Sequence, residues 1–159
     1  MKYYIIAGEA SGDLHGSNLI KEIKKLDAAA NIRCWGGDLM QQAGAHLVKH
    51  YKDLAFMGFI EVLKNLPTIL SNFKFCKQDI ESFQPDVVVL IDYPGFNLRL
   101  ARALRKSSPN LKIIYYISPQ VWAWNPGRIN QMAQVLDLMV CILPFEAELY
   151  NESGLRTKC

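Results

Sequence analysis

Short runs of β-branched and aliphatic residues alternate along the chain with segments whose apolar residues recur at helical spacing. Tyr3 to Ala7 predicts a first strand, which enters a glycine turn at Gly8 to Gly12. Leu19, Ile23 and Leu26 then mark one face of a helix. Ile32 to Trp35 predicts a second strand, closed by Gly36 and Gly37. A short helix around Leu39 to Ala43 leads to a weak strand near His46 to Val48. The spacing Phe73, Cys76, Ile80, Phe83 predicts a helix that Pro85 ends. Asp86 to Ile91, DVVVLI, is the clearest strand, and its unbroken apolar run suits burial on both faces. A helix through Leu98, Ala101 and Leu104 follows, then a strand from Leu111 to Ile117. A helix from Gly127 to Leu136, a strand from Leu138 to Leu143 and a helix from Phe145 to Glu152 complete the pattern. Such alternation predicts βαβ units in an α/β, doubly wound, mainly parallel sheet. After Gly154, Leu155 to Cys159 reads as the start of a further strand, so a truncated domain is expected.

Composition narrows the picture only a little. The chain has 159 residues, half of them hydrophobic and 21% charged, which fits one globular domain with a real core. A formal charge of +3 without a basic stripe argues against nucleic acid as a partner. Cys34, Cys76 and Cys141 lie in apolar segments and form no CxxC pair with one another or with Cys159, so a reducing cytoplasm fits best. Met1 to Ala7 is too short an apolar run for a signal peptide, and Glu9 and Asp13 interrupt its continuation. His46 and His50 lack a third metal ligand.

Four segments carry candidate chemistry. GEASGD, Gly8 to Asp13, offers glycines for close backbone approach and a helix N-terminus for an anion. It matches neither a Walker loop nor GxGxxG, and it can equally be a tight turn with Ser11 or Asp13 capping the helix; Glu9 is the residue a bare turn does not need. In IDYPGFN, Asp92 closes a buried strand, where a partly desolvated carboxylate can act as general base toward a hydroxyl, or can simply brace the loop. Asn97 there can cap the next helix or bind a ligand. In ISPQVWAWNPGR, Trp122 and Trp124 stand two residues apart between a strand and a proline. They offer aromatic faces to a sugar, unless one packs the loop down. Ala55 to Leu66, AFMGFIEVLKNL, is apolar nearly all round, so it is either core or exposed to something greasy, with Lys64, Lys74 and Lys77 nearby. On pattern alone, burial is the simpler reading.

AGEASGD, FMGFIEVL, PDVVVLIDYPGFN, YYISPQVWAW and LPFE stand in an order and spacing that resembles the lipid-A-disaccharide synthase family across almost the whole chain. The resemblance implies an inverting glycosyltransferase of GT-B fold, with this chain as its N-terminal, acceptor-side Rossmann-like domain (1–159). Such an enzyme joins UDP-2,3-diacylglucosamine to 2,3-diacylglucosamine 1-phosphate, releasing UDP, on the cytoplasmic face of the inner membrane as a peripheral protein. One in-line displacement needs one base and a stabilised leaving group, with no cofactor and no metal. Asp92 matches the family's essential aspartate and is expected to be the general base. Glu9 and Ser11 belong to the substrate-binding glycine turn, while Asn97, Trp122 and Trp124 match motif positions expected in the cleft. Phe56, Met57, Phe59, Ile60, Leu63 and Leu66 match the membrane-associating segment, which shifts that segment's reading from burial to lipid contact. The C-terminal UDP-binding domain is expected to lie outside this chain, leaving it negligible activity alone. A UDP-sugar epimerase-like domain and a non-catalytic lipid- or membrane-binding module are the alternatives.

Overall fold

The computed structural model describes residues 1–54, 63–120, 123 and 125–159. Seven parallel strands form one sheet: β1 (Lys2–Ala7), β2 (Asn31–Gly36), β3 (His46–His50), β4 (Val87–Ile91), β5 (Lys112–Tyr116), β6 (Leu138–Val140) and β7 (Thr157–Lys158), in the order β3-β2-β1-β4-β5-β6-β7. The helices whose full bounds lie among the described residues are α1 (Ala10–Leu26), α2 (Asp38–Gln42), α3 (Leu66–Phe83), α4 (Pro94–Ser107), α5 (Gly127–Val135) and α6 (Pro144–Glu152), with a short 3-10 turn at Tyr51–Asp53. The expected doubly wound α/β architecture is present, and every strand pairing is parallel.

Period-two geometry divides the apolar strand runs between two cores. Tyr4, Ile6, Val88, Leu90, Ile113 and Tyr115 face a core closed by α3, α4, α5 and α6, through residues such as Cys76, Ile80, Leu104 and Met132. Ile5, Ala7, Cys34, Val89 and Ile91 face the other side, where Ile20 of α1 and Met40 of α2 cover them. A strand buried on both faces must be apolar at consecutive positions, which is why VVVLI shows no alternation. The thiols of Cys34, Cys76 and Cys141 are buried within the structure and Cys159 is exposed.

Several boundaries differ from those the pattern predicts. Helix α3 begins at Leu66 rather than near Phe73, because Ile69 and Asn72 extend the same buried-to-half-buried stripe as Phe73, Cys76 and Ile80, and Pro67 fits the first turn. Gln84, with φ of 53°, ends it ahead of Pro85. Strand β6 stops at Val140, since the backbone turns there toward α6. Asp79 anchors α3 across the sheet: it accepts from the Tyr4 hydroxyl at 2.6 Å and from the Arg33 guanidinium at 2.7 and 3.2 Å. Among the described residues no helix is long and apolar enough to cross a membrane.

Candidate active site

Because all strands run the same way, every strand-to-helix loop leaves from one edge of the sheet. The winding reverses between β1 and β4: the chain steps from β1 outward to β2 and β3, then crosses back to place β4 on the other side of β1. Loops on either side of such a reversal diverge and leave a crevice. Glu9 lies in the loop after β1 and Asp92 directly follows β4, whose Ile91 pairs with Ala7.

Asp92 and Tyr93 both adopt left-handed backbone, with φ of 45° and 49°. That conformation costs about 1–2 kcal/mol for each residue bearing a Cβ. Buried hydrogen bonds hold the pair there. The Tyr115 hydroxyl donates to the Asp92 carbonyl. Asn97 Nδ2 donates to the same carbonyl at 2.8 Å and to that of Ile91 at 3.3 Å. The Asn97 N–H donates to the Tyr93 carbonyl at 3.0 Å, which starts α4 with Pro94 in its first turn. Burial, and then the nearby Asp92 charge, pushes the Tyr115 phenol far above its ordinary range, so it remains a donor. The Tyr93 ring closes over Gly8, where an added Cβ would lie 2.4 Å from a ring atom. Gly8 is thus required by the opposite loop, and the two sides of the crevice are locked together.

This geometry sets the electrostatics. Asp92 is half-buried, and its carboxyl is pushed above the usual carboxylate range, first by desolvation and then by the charge and hydrogen bond of Glu9; the Tyr93 backbone N–H pulls weakly the other way. Ser11 Oγ donates to Glu9 Oε1 at 3.0 Å, so Ser11, Glu9 and Asp92 form a connected row along the crevice. A carboxylate with raised proton affinity at an open crevice can take a proton from a hydroxyl, and the exposed Glu9 beside it can orient a second one.

The remaining candidates divide. Asp13 does not cap its own helix. It is buried, and its carboxylate accepts from the backbone N–H groups of Gly37, Leu39 and Met40 at 2.8, 3.2 and 3.0 Å, tying α1 to the start of α2. Asn97 is fully buried and its amide serves the Asp92 loop. Trp122 and Trp124 lie outside the described residues, but their loop is anchored at its start. Ile117 takes φ of 69°, Ser118 Oγ donates to Glu146 Oε1 at 2.8 Å, and the Tyr150 hydroxyl donates to the Pro119 carbonyl at 2.9 Å. Of the apolar segment, Leu63 and Leu66 are exposed, while Phe56, Met57, Phe59 and Ile60 lie outside the described residues.

A family model described as lipid-A-disaccharide synthetase matches residues 3–159. The chain belongs to the lipid-A-disaccharide synthetase family. Lipid-A-disaccharide synthases of Trichlorobacter lovleyi and Geobacter metallireducens are 41% and 42% identical to it over 151 residues, 95% of this chain. That of Syntrophotalea carbinolica is 44% identical over 148 residues, 92% of this chain. The chain spans 39%, 39% and 37% of the lengths of these three relatives. Among solved structures, UDP-GlcNAc 2-epimerase from Neisseria meningitidis bound to UDP-GlcNAc superposes with a TM-score of 0.64, covering 98% of this chain and 43% of the epimerase. At 10% identity that likeness concerns the Rossmann-like fold alone.

Tyr93, Tyr115 and Glu146 lie inside the family-matching motifs, but the motif reading assigned none of them a role. Tyr115 sits in an ordinary strand run, KIIYY, where only three-dimensional pairing reveals its hydroxyl at the Asp92 carbonyl. Glu146 carried a local sign, an acid two residues after the proline that starts a helix, though not its buried link to Ser118. Glu9→Gln removes the negative neighbour of Asp92 and should lower the Asp92 carboxyl pKa toward its ordinary value of about 4 without reaching it, because desolvation persists. Carboxyl-carbon NMR titration of the chain measures this; an unmoved pKa would take Glu9 out of the electrostatics of the site.

Proposed function

We propose that this chain is the acceptor-side, N-terminal domain of an inverting glycosyltransferase of lipid A biosynthesis. In this reading Asp92 takes the proton from the hydroxyl of a diacylglucosamine 1-phosphate acceptor. The acceptor oxygen attacks the anomeric carbon of UDP-diacylglucosamine from the face opposite the phosphate. One C–O bond forms as the bond to UDP breaks, giving the disaccharide 1-phosphate and UDP with inversion. Asp92 suits the base because its carboxyl is desolvated and faces a second carboxylate at the reversal of the sheet. That observation carries the reading, and the family membership gives it a substrate class.

Glu9, supported by Ser11, is assigned to orient a sugar hydroxyl. Asn97 and Tyr115 are positioning residues, acting through the Asp92 backbone. Trp122 and Trp124 are assigned to the sugar-facing loop on motif grounds. UDP release needs positive charge and hydrogen-bond donors at the departing diphosphate. We assign these to a C-terminal UDP-binding domain outside the chain, consistent with the chain's spanning 39% of its relatives' length. The exposed Leu63 and Leu66, beside exposed Lys64 and Lys74, fit peripheral contact with an anionic cytoplasmic membrane face, to which Phe56, Met57, Phe59 and Ile60 would add.

Two experiments test this. In a protein that continues through the UDP-binding domain, Asp92→Asn should lower turnover about a hundredfold or more while UDP-sugar affinity stays within about twofold. Retained turnover removes Asp92 from the role, and the 159-residue chain alone should show negligible transfer. The chain should also sediment with vesicles rich in anionic lipid, with Leu63→Gln and Leu66→Gln together weakening the association. Equal sedimentation of the double variant would place membrane contact elsewhere.

A further inference from the structure

Next to the Asp92 loop lies a cavity of about 400 Å³. Leu54, Ile69, Leu70, Phe73 and Phe96 give it hydrocarbon walls, and Tyr93 closes the side nearest Asp92. Its volume falls among small-molecule sites, roughly 300–1,000 Å³, and far exceeds an ordinary packing void. The wall is firm: Phe96 stacks between Tyr93 and Trp35, with ring centroids 5.7 and 5.9 Å apart, and Phe73 meets it edge-on at 5.8 Å. The side chains there are braced against one another instead of collapsing inward.

Three features define an occupant. Leu70 both lines the cavity and is exposed, and Leu66, one turn earlier on α3, is exposed too, so among the described residues α3 presents an apolar side to the mouth. Arg99, one turn after Phe96 on α4, lines the cavity, is exposed, and makes no salt bridge among the described residues. Gly95 also lines the cavity, and nothing lies within 4 Å of the position a Cβ would take there, although it stands in the first turn of a helix where any residue fits. A mainly apolar slot, with the Asn72 amide as a polar point in its lining and, among the described residues, Arg99 as the cation at its margin, is complementary to a flexible chain with an anionic head.

The geometry points to this cavity as the seat of one linear acyl chain of an anionic amphiphile, with its head against Arg99 and its polar portion beside Asp92. The inference rests on the acylated-sugar reading of the site and deepens it. It gives the crevice an apolar arm that selects acylated over bare sugars and holds the reacting hydroxyl at the carboxyl.

The test uses the chain itself, without vesicles, and the fluorescent fatty acid cis-parinaric acid below its micelle concentration. Saturable one-to-one binding is expected. Gly95→Leu should weaken it at least about tenfold by filling the cavity, with the thermal midpoint unchanged or raised, since leucine favours a helix over glycine. Arg99→Gln should weaken the fatty acid but not displacement of the probe by a neutral long-chain alcohol. Lys21→Gln, on the exposed side of α1 across the sheet from the cavity, should change neither. No saturable binding, or binding that Gly95→Leu leaves intact in a folded chain, overturns the proposal. So does self-association that Gly95→Leu abolishes without any probe binding, because the cavity then receives a second copy. The two readings fail separately. Loss of turnover in Asp92→Asn with no probe bound leaves the transferase standing and removes the acyl seat. Specific probe binding with turnover untouched by Asp92→Asn keeps the acyl seat and removes Asp92 from the role of base.

Discussion

The hold on one backbone carbonyl organises the working edge of this domain. The Asp92 oxygen receives the Tyr115 hydroxyl and the Asn97 amide, both from buried positions. Without those donors, two consecutive side-chain-bearing residues would have little reason to remain left-handed. With them in place, the chain leaves β4 sharply, starts α4 at once, lays Tyr93 over Gly8 and holds the Asp92 carboxyl against Glu9. Strain stored at a strand end is thereby converted into the placement of a single acid. The rigid parallel sheet supplies the anchor, since Tyr115 is itself a fully buried strand residue.

The same constraint links chemistry to apolar recognition. Tyr93 and Phe96 leave the Asp92 loop one helical turn apart, and their stacked rings form the wall shared by the crevice and the cavity beneath α3. Asp79 fixes α3 to β1 and β2, so the far wall is held by the sheet as well. A displacement of the loop would therefore disturb both the carboxyl pair and the apolar slot. On the neighbouring loop, Glu146 and Tyr150 of α6 hold Ser118 and Pro119 by similar buried bonds. The ends of β4 and β5 are thus both shaped by polar side chains that reach them from other elements.

Much of this was legible in the chain. Unbroken apolar runs separated by helical spacings specify a parallel sheet buried on both faces, and the loops at its strand ends follow from that architecture. Glu9 and Asp92 stood out because an acid after a buried strand has no packing purpose. What remained hidden depends on contacts distant in sequence. Asp13 reads locally as a cap for α1, yet it satisfies the N–H groups that open α2, because β2 brings them within reach. Asn97 reads as a ligand candidate, yet it lies buried beneath its own loop. The start of α3 was obscured because Leu66 continues an apolar segment that shows no one-sided stripe. Family resemblance named the chemistry that periodicity could not, while the tyrosines that place the carboxyl came only from three dimensions.

The central claim is that the buried grip, and not proximity in sequence, puts the Asp92 carboxyl beside Glu9. The most direct measurement is the carboxyl titration of Asp92 by NMR in an Asn97→Ala chain shown by circular dichroism to keep its sheet and helices. Glu9 is intact in that variant, so only the loop's placement changes. The Asp92 pKa should fall back toward the ordinary carboxylate range as the loop relaxes and the two acids part. A pKa that stays raised in the folded variant would contradict the account.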